Sequence, residues 1–216
     1  GNVKIINCWN NADIYSAAQN IGGVVGCSNY AGGLLIEFCY NLGNVRQAKL
    51  DSAGGIIGKP HSGAQTIRNC YNAGTIYSPK YSGGIVGDRQ NNASVSIINC
   101  YNRGEVTGSG KSIMGSGNSC TVRNCYYGGA ASQSQGGYGT YLPDSAMKSW
   151  ALAFALNEEN MTAVTTTVEG ASWTNTAPGT SYPAFGPLPS AKTWDVVGQG
   201  VLDGLITGRL TGSGIS

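Results

Sequence analysis

Residues 69–74 read NCYNAG, and this short block decides the fold because near-copies of it recur along the 216-residue chain. The copies lie at residues 7–10 (NCWN), 38–41 (FCYN), 69–72 (NCYN), 99–102 (NCYN) and 124–127 (NCYY). Their cysteines, at positions 8, 39, 70, 100 and 125, are separated by 31, 31, 30 and 25 residues. A period of this size is typical of a solenoid, in which each repeat is one coil that cannot bury its apolar face alone. A stacked scaffold of this kind does not by itself assemble a catalytic site.

The residues before each cysteine alternate in polarity, which predicts a strand with one face in the core. The position three before the cysteine is always aliphatic: Ile5, Ile36, Ile67, Ile97 and Val122. By the same parity, the residue just before the cysteine faces inward. Inward asparagines can bond their neighbours in the coils above and below, so we expect a ladder of buried amides at this position. Its members are Asn7, Asn69, Asn99 and Asn124, with Phe38 as an apolar plug.

Two further landmarks in each repeat predict two more short strands. The pattern YNxG at 40–43, 71–74 and 101–104 supplies asparagine and glycine for a left-handed bend after the cysteine. A second strand then opens on a β-branched residue, and a third opens on a Gly-Gly-aliphatic block at 22–26, 54–58 and 83–87, which is degraded at 112–115. We therefore predict an all-β fold, a right-handed parallel β-helix that forms a three-sided solenoid of about five coils.

Seven cysteines are an odd number, which excludes a complete set of disulfides. Five of them form the repeat column. Side chains stacked in parallel point the same way, so we expect buried free thiols that act as small hydrophobes. The chain has no Cys-x-x-Cys pattern, and its single histidine, His61, lies between proline and glycine. We therefore predict neither a metal site nor a cofactor. The column consists of Cys8, Cys39, Cys70, Cys100 and Cys125.

The residue after each repeat cysteine is aromatic, and this column has two interpretations. An exposed row of rings could stack on sugars or contact a protein partner. Alternatively, the rings stack on one another and stabilise the coil, which is the commoner role of such a column. The candidate ligand-binding residues are Trp9, Tyr40, Tyr71, Tyr101 and Tyr126.

These two recurring landmarks resemble the GLUG-motif repeats of bacterial surface proteins, whose pattern is similar to Asn-Cys-Tyr-Asn-x-Gly-x-Val followed by Gly-Gly-Ile-Val-Gly. The resemblance covers about residues 2–128. The departures are Ala12 in place of the turn glycine, Phe38 in place of asparagine and the degraded fourth Gly-Gly block. The resemblance implies a secreted or cell-surface bacterial protein of the adhesin type, and it carries over no catalytic residue.

The sequence divides into three parts. Residues 2–131 hold the repeats, and residues 132–190 are expected to hold a connector, a capping helix over about 144–157 and a closing Trp and Tyr-Pro segment. The GLUG resemblance supports this closure of the array by a helix and a β cap. We also expect a strand over 165–168, and a tail or the start of a further segment over 191–216. Because residue 3 already lies in a repeat strand, we expect a fragment of a longer chain with flanking domains.

The charge pattern limits the partners. Charged residues make up 11% of the chain and the formal net charge is +2, which is too sparse for a nucleic-acid surface. No run of 18 apolar residues occurs, so we expect no membrane span. Asp13 and Glu105 share one register but lie three coils apart, roughly 14 Å, which is too far for paired carboxylates. Glu37 and Arg68 face each other one coil apart and predict a surface ion pair.

We therefore expect a non-catalytic module, an adhesive or spacing scaffold that binds an extracellular glycan or protein ligand. The alternatives are a polysaccharide-acting β-helix enzyme or an accessory domain of a secreted peptidase.

Overall fold

The computed structural model describes residues 2–90, 92–117, 120–131, 138–162, 172–174 and 179–186. The chain forms two compact units, Gly1–Tyr141 and Leu142–Ser216. The predicted strand over 165–168 and the predicted tail over 191–216 lie outside the described residues, as does part of the connector.

The first unit is built almost entirely of short strands. In chain order they are β1 (Val3–Ile6), β2 (Trp9–Asn10), β3 (Ile14–Ser16), β4 (Ile21–Gly22), β5 (Val25–Ser28), β6 (Leu34–Glu37), β7 (Tyr40–Asn41), β8 (Val45–Gln47), β9 (Ser52–Gly54), β10 (Ile57–Pro60), β11 (Gly63–Arg68), β12 (Tyr71–Asn72), β13 (Ile76–Gly83), β14 (Ala93–Ile98), β15 (Tyr101–Asn102), β16 (Val106–Lys111), β17 (Thr121–Arg123), β18 (Tyr126–Tyr127) and β19 (Thr140–Tyr141).

Strands from successive repeats pair in parallel, and the predicted β-solenoid is confirmed with about four turns. One sheet has the order β1-β6-β11-β14-β17, a second has β19-β18-β15-β12-β7-β2, and a third has β3-β8-β13-β9-β4 with β16 paired to β13. Strands β5 and β10 form a two-stranded sheet. The solenoid unit extends past the predicted boundary at residue 131, because β19 pairs with β18.

The registers follow the aliphatic pattern of the sequence. Ile36 pairs with Ile5 on one side and with Ile67 on the other, and Ile97 continues the column to Val122. The three central isoleucines of this column have no exposed surface. They pack with the apolar residues of the Gly-Gly blocks and with the repeat cysteines in one hydrophobic core. The core thus runs along the solenoid because every turn adds the same set of apolar side chains.

The left-handed bend lies before the cysteine, and the prediction that it follows the cysteine was wrong. The pre-cysteine residues have φ values between 51° and 55°: Asn7, Phe38, Asn69, Asn99 and Asn124. Asparagine tolerates this region better than other side-chain-bearing residues, which accounts for its recurrence there.

The turn glycines meet a different requirement. None of Gly43, Gly74 and Gly104 has a positive φ. A Cβ on Gly74 would clash with the carbonyl oxygen of Gly43, and one on Gly104 would clash with that of Gly74. Close approach between successive turns therefore requires glycine at this position.

The described residues of the second unit form two helices, α1 (Asp144–Met147) and α2 (Trp150–Thr162), where one helix over about 144–157 was predicted. Ser149 separates them, because its hydroxyl accepts a hydrogen bond from the Leu152 amide at 3.3 Å and so caps α2. Pro143 precedes α1 and Asp144 is its first helical residue. The antiparallel strands β20 (Ser172–Thr174) and β21 (Ala184–Gly186) pair Trp173 with Phe185. Asn157 fixes β20 to α2 through hydrogen bonds with the amide and the carbonyl of Trp173, at 2.9 and 2.8 Å.

Candidate functional site

The pre-cysteine asparagines of the predicted ladder make side-chain contacts between successive turns. Asn124 Nδ2 donates to Asn99 Oδ1 at 2.9 Å, and Asn69 Nδ2 lies 3.5 Å from Glu37 Oε1. Glu37 thus supplies the acceptor where Phe38 replaces the asparagine of the repeat. Asn7 is exposed, whereas Asn69, Asn99 and Asn124 are buried.

A second ladder lies three residues later in each repeat. Asn10 Nδ2 donates to Asn41 Oδ1 at 2.8 Å, Asn41 to Asn72 at 2.7 Å, and Asn72 to Asn102 at 2.8 Å. The Nδ2 groups of these three asparagines and of Asn102 also each donate to the carbonyl oxygen two residues ahead, at 2.7–3.0 Å. Asn41, Asn72 and Asn102 have no exposed surface, and both Nδ2 hydrogens of Asn41 and of Asn72 have partners.

The Gly-Gly blocks face this ladder. A Cβ on Gly55 would clash with the carbonyl oxygen of Gly84 and with the side chain of Asn72. Gly23 and Gly84 have the same relation to Asn41 and Asn102. The asparagine of one landmark therefore packs against the glycine of the other, because only a residue without a Cβ leaves space for the asparagine side chain. This ladder could have been predicted from the sequence, because asparagine recurs at positions 10, 41, 72 and 102.

The predicted cysteine column is buried along most of its length. Cys39, Cys70, Cys100 and Cys125 are buried and Cys8 is exposed, and all seven cysteines of the chain carry free thiols. Each buried thiol donates to the carbonyl oxygen two residues before it, at 3.1–3.2 Å. Burial raises the pKa of Cys70 and of Cys100 well above the ordinary thiol value. Cys70 and Cys100 are therefore packing residues and not nucleophiles. The side-chain hydrogen bond with Cys70 instead lowers the pKa of Cys39.

The aromatic column is a stack of parallel rings. Ring centroids are 6.0 Å apart between Trp9 and Tyr40, 4.9 Å between Tyr40 and Tyr71, and 5.1 Å between Tyr71 and Tyr101, with interplanar angles of at most 8°. Exposure falls along the column, from 63% at Trp9 to 1% at Tyr101 and 2% at Tyr126. Burial raises the pKa of Tyr71 to about 12. A sugar needs a ring face, and within this stack the faces cover one another, so the geometry favours the stabilising role.

A groove of about 530 Å³ lies on the outer surface of the third sheet, between two columns of side chains. The first column holds Asp13, Asn44 and Thr75, one from each of three successive turns. Asp13 Oδ1 accepts from the Asn44 amide at 2.8 Å, and Asn44 Oδ1 accepts from the Thr75 amide at 3.0 Å. These bonds fix the side chains of Asp13 and Asn44.

The second column of the groove alternates aromatic and cationic side chains. Tyr15 pairs in register with Arg46, Arg46 with Tyr77, and Tyr77 with Thr107. The Arg46 guanidinium lies 5.2 Å from the centroid of the Tyr77 ring, and Tyr15 is 70% exposed. This column was not predicted from the sequence, although each member directly follows the β-branched residue that opens the second strand.

Most other charges of the described chain are held in ion pairs or backbone contacts. The predicted pair of Glu37 and Arg68 is confirmed, with Arg68 Nε 2.5 Å from Glu37 Oε1. Lys59 Nζ lies 3.3 Å from an oxygen of Asp88 and 4.0 Å from one of Asp51. Among the described residues, no three His, Cys, Asp or Glu side chains are placed to hold a metal ion. Neither described helix has the length and apolar character needed to cross a bilayer.

No protein-family model matches this chain, and no curated protein or solved structure matches it either.

Proposed function

We propose that this chain is a non-catalytic repeat module of a bacterial secreted or cell-surface protein, and that it acts as an adhesive or spacing scaffold for an extracellular glycan or protein ligand. The observation that carries the proposal is the set of side-chain stacks that join successive turns. Asparagine amides, thiols and aromatic rings each contact their counterparts in the next repeat. A structure held together in this way is suited to presenting a surface at a fixed distance.

The chemically reactive side chains take part in structural contacts, and this supports a non-catalytic role. The buried thiols are bonded to backbone carbonyls, and the carboxylates of Glu37, Asp88 and Asp13 each contact a cation or a backbone amide. An acid–base pair for glycoside hydrolysis needs two carboxyl groups about 5–10 Å apart across an open site. Asp13 and Glu105 occupy different turns of the solenoid, with Asn44 and Thr75 between them in the column.

The extracellular setting follows from the resemblance of the repeats to GLUG-motif proteins. With it we propose a right-handed, three-sided coil, since right-handed crossovers are the strong default for parallel strands. The fifth coil is the shortened repeat around residues 124–127, which is followed by the added strand β19. The C-terminal unit, with its helices and its β20–β21 pair, is proposed to cap the array.

The experiment that tests this proposal separates binding from turnover. The chain is screened on a glycan array, and the same glycans are incubated in solution with the chain and assayed for new reducing ends and for unsaturated products. We expect saturable binding without product. Product that forms in proportion to the chain would refute the proposal and favour a polysaccharide-acting enzyme, the second candidate, whose site would then lie near Asp13 in the groove.

A further inference from the structure

The groove on the third sheet presents binding chemistry that stacking between turns does not require. Tyr15 and Arg46 are exposed, and neither side chain is buried in the hydrophobic core. Arg46 is held against the Tyr77 ring, which orders its five donors at the groove wall. Across from it, Asp13 and Asn44 are fixed by their bonds to backbone amides. The groove is thus lined by ordered polar groups and by aromatic surface.

We propose that this groove, lined by Asp13, Tyr15, Asn44, Arg46, Thr75 and Tyr77, binds an uncharged polysaccharide chain that runs across the strands, along the direction in which the turns stack. The inference rests on the proposed non-catalytic function and assigns its ligand class and its site.

The side chains match the two surfaces of a pyranose ring. Sugar rings have apolar C–H faces, which pack on aromatic side chains, and a rim of hydroxyl groups, each of which can donate and accept. A carboxylate accepts, a guanidinium donates, and an amide and a hydroxyl do both. The groove offers all of these groups in one column or the other, with Tyr15 and Tyr77 as the aromatic surface.

The charges of the groove favour an uncharged ligand. One carboxylate, from Asp13, and one guanidinium, from Arg46, line it, so its charge sums to zero. Neither group forms an ion pair with another residue of the described chain. A polyanion would meet the Asp13 carboxylate, and a polycation would meet the guanidinium. Neutral hydroxyl groups satisfy both without a repulsive contact.

An extended peptide is a poorer fit. Peptides that add to a β-sheet bind along an open strand edge, where backbone groups are unpaired. The groove lies on the faces of β3, β8, β13 and β16, and the backbone groups of the inner strands already bond the turns on either side. Only side chains reach the ligand there. Four strands at ~4.8 Å spacing give a groove about 14 Å long, which accommodates about three pyranose rings.

The test begins with the intact chain on an array of neutral linear glycans, followed by isothermal titration calorimetry with the hexasaccharide of the best-bound glycan. We expect Tyr15→Ala to weaken binding about fivefold through loss of stacking, and Arg46→Ala to weaken it about tenfold through loss of hydrogen bonds from a charged donor. The matched controls are Tyr30→Ala and Lys4→Ala, which remove an exposed tyrosine and an exposed cation outside the groove. Both should stay within about twofold of the unmodified chain.

The possible results distinguish failure of the proposed binding site from failure of the proposed non-catalytic function. Absence of binding to every neutral glycan would overturn the inference, as would tighter binding to a polyuronate that weakens steeply with salt. Binding that Tyr15→Ala and Arg46→Ala leave unchanged would overturn the site while the proposed function stands. Release of product from the bound glycan would instead refute the non-catalytic function. Circular dichroism of each variant verifies that the solenoid is intact.

Discussion

Replacing Asn72 by aspartate is the sharpest test of the ladder, because the two side chains have nearly the same shape and differ in donors and charge. Asn72 has no exposed surface. Its Nδ2 donates to Asn102 Oδ1 and to Gly74 O, both at 2.8 Å, and its Oδ1 accepts from Asn41 Nδ2 at 2.7 Å. An aspartate keeps the accepting bond, loses both donations and places a negative charge against two oxygen atoms.

The magnitude follows from these contacts. Two lost hydrogen bonds cost about 2 kcal/mol, and a buried charge without a partner raises the total to about 3–5 kcal/mol at pH 7. Burial raises the pKa of the introduced carboxyl in the folded state above its unfolded value of about 3.9. The unfolded state therefore loses its proton first as pH rises, and the cost of Asn72→Asp grows with pH. At about pH 4 the protonated carboxyl can donate again, so the cost should fall to about 1–2 kcal/mol.

The assay is urea unfolding at pH 7 and at pH 4, followed by circular dichroism and by tyrosine and tryptophan fluorescence. The matched control is Asn44→Asp. Asn44 is exposed and its Oδ1 accepts from the Thr75 amide, a bond that a carboxylate also makes, as Asp13 does in the preceding turn. This control should change the free energy of unfolding by less than about 0.5 kcal/mol. If Asn72→Asp prevents folding, Asn10→Asp at the half-buried end of the ladder provides a milder variant. Equal costs at positions 72 and 44, or a cost at position 72 that does not depend on pH, would refute the reasoning.

Three further predictions follow from the contacts between turns. Gly74→Ala should lower the free energy of unfolding by about 3 kcal/mol, because the added Cβ meets the backbone of Gly43. The control is Gly26→Ala, whose Cβ would lie 3.0 Å from its nearest neighbour. It should lower the free energy of unfolding by less than about 1 kcal/mol. Pulse alkylation at pH 8, read by mass spectrometry, should label Cys8 within the pulse and leave Cys70 unlabelled until urea unfolds the chain. The reason is that burial raises the pKa of the Cys70 thiol. Fast labelling of Cys70 in the native chain would contradict the buried column. Arg68→Ala should lower the free energy of unfolding by about 1 kcal/mol or less, and high salt should abolish this difference, because the arginine side chain is 46% exposed. A difference in unfolding free energy that salt does not change would contradict a screened ion pair.

The sequence was sufficient to predict the parallel solenoid, the register of its aliphatic column and the Glu37–Arg68 pair. These features depend on side-chain parity and on a fixed repeat length, and both can be read from one chain. The second ladder, at residues 10, 41, 72 and 102, was missed, because asparagine occurs on both sides of the cysteine and parity directs attention to the first one. The two asparagines differ in backbone conformation. The pre-cysteine residue takes a positive φ, and the asparagine after the aromatic residue aligns with its copies in the flanking turns.

The break in the C-terminal helix was also missed. The run from residue 144 to 157 has a helical apolar pattern, and a single helix was the simplest interpretation. Ser149 interrupts it by bonding the Leu152 amide, a local competition that apolar periodicity does not reveal.

The contrast between repeating and varying positions distinguishes the contacts that join successive turns from the outer column of the third sheet. A residue that contacts its own copy in the next turn must recur, and asparagine, cysteine, glycine and tyrosine do so at fixed intervals. The outer column of the third sheet obeys no such constraint, and it changes from Tyr15 to Arg46 to Tyr77 to Thr107. A column built only to stack would be expected to repeat as the aromatic column does. The variation places different side chains at successive steps of ~4.8 Å along one groove, and the proposed glycan site draws on these side chains and not on the repeated ones.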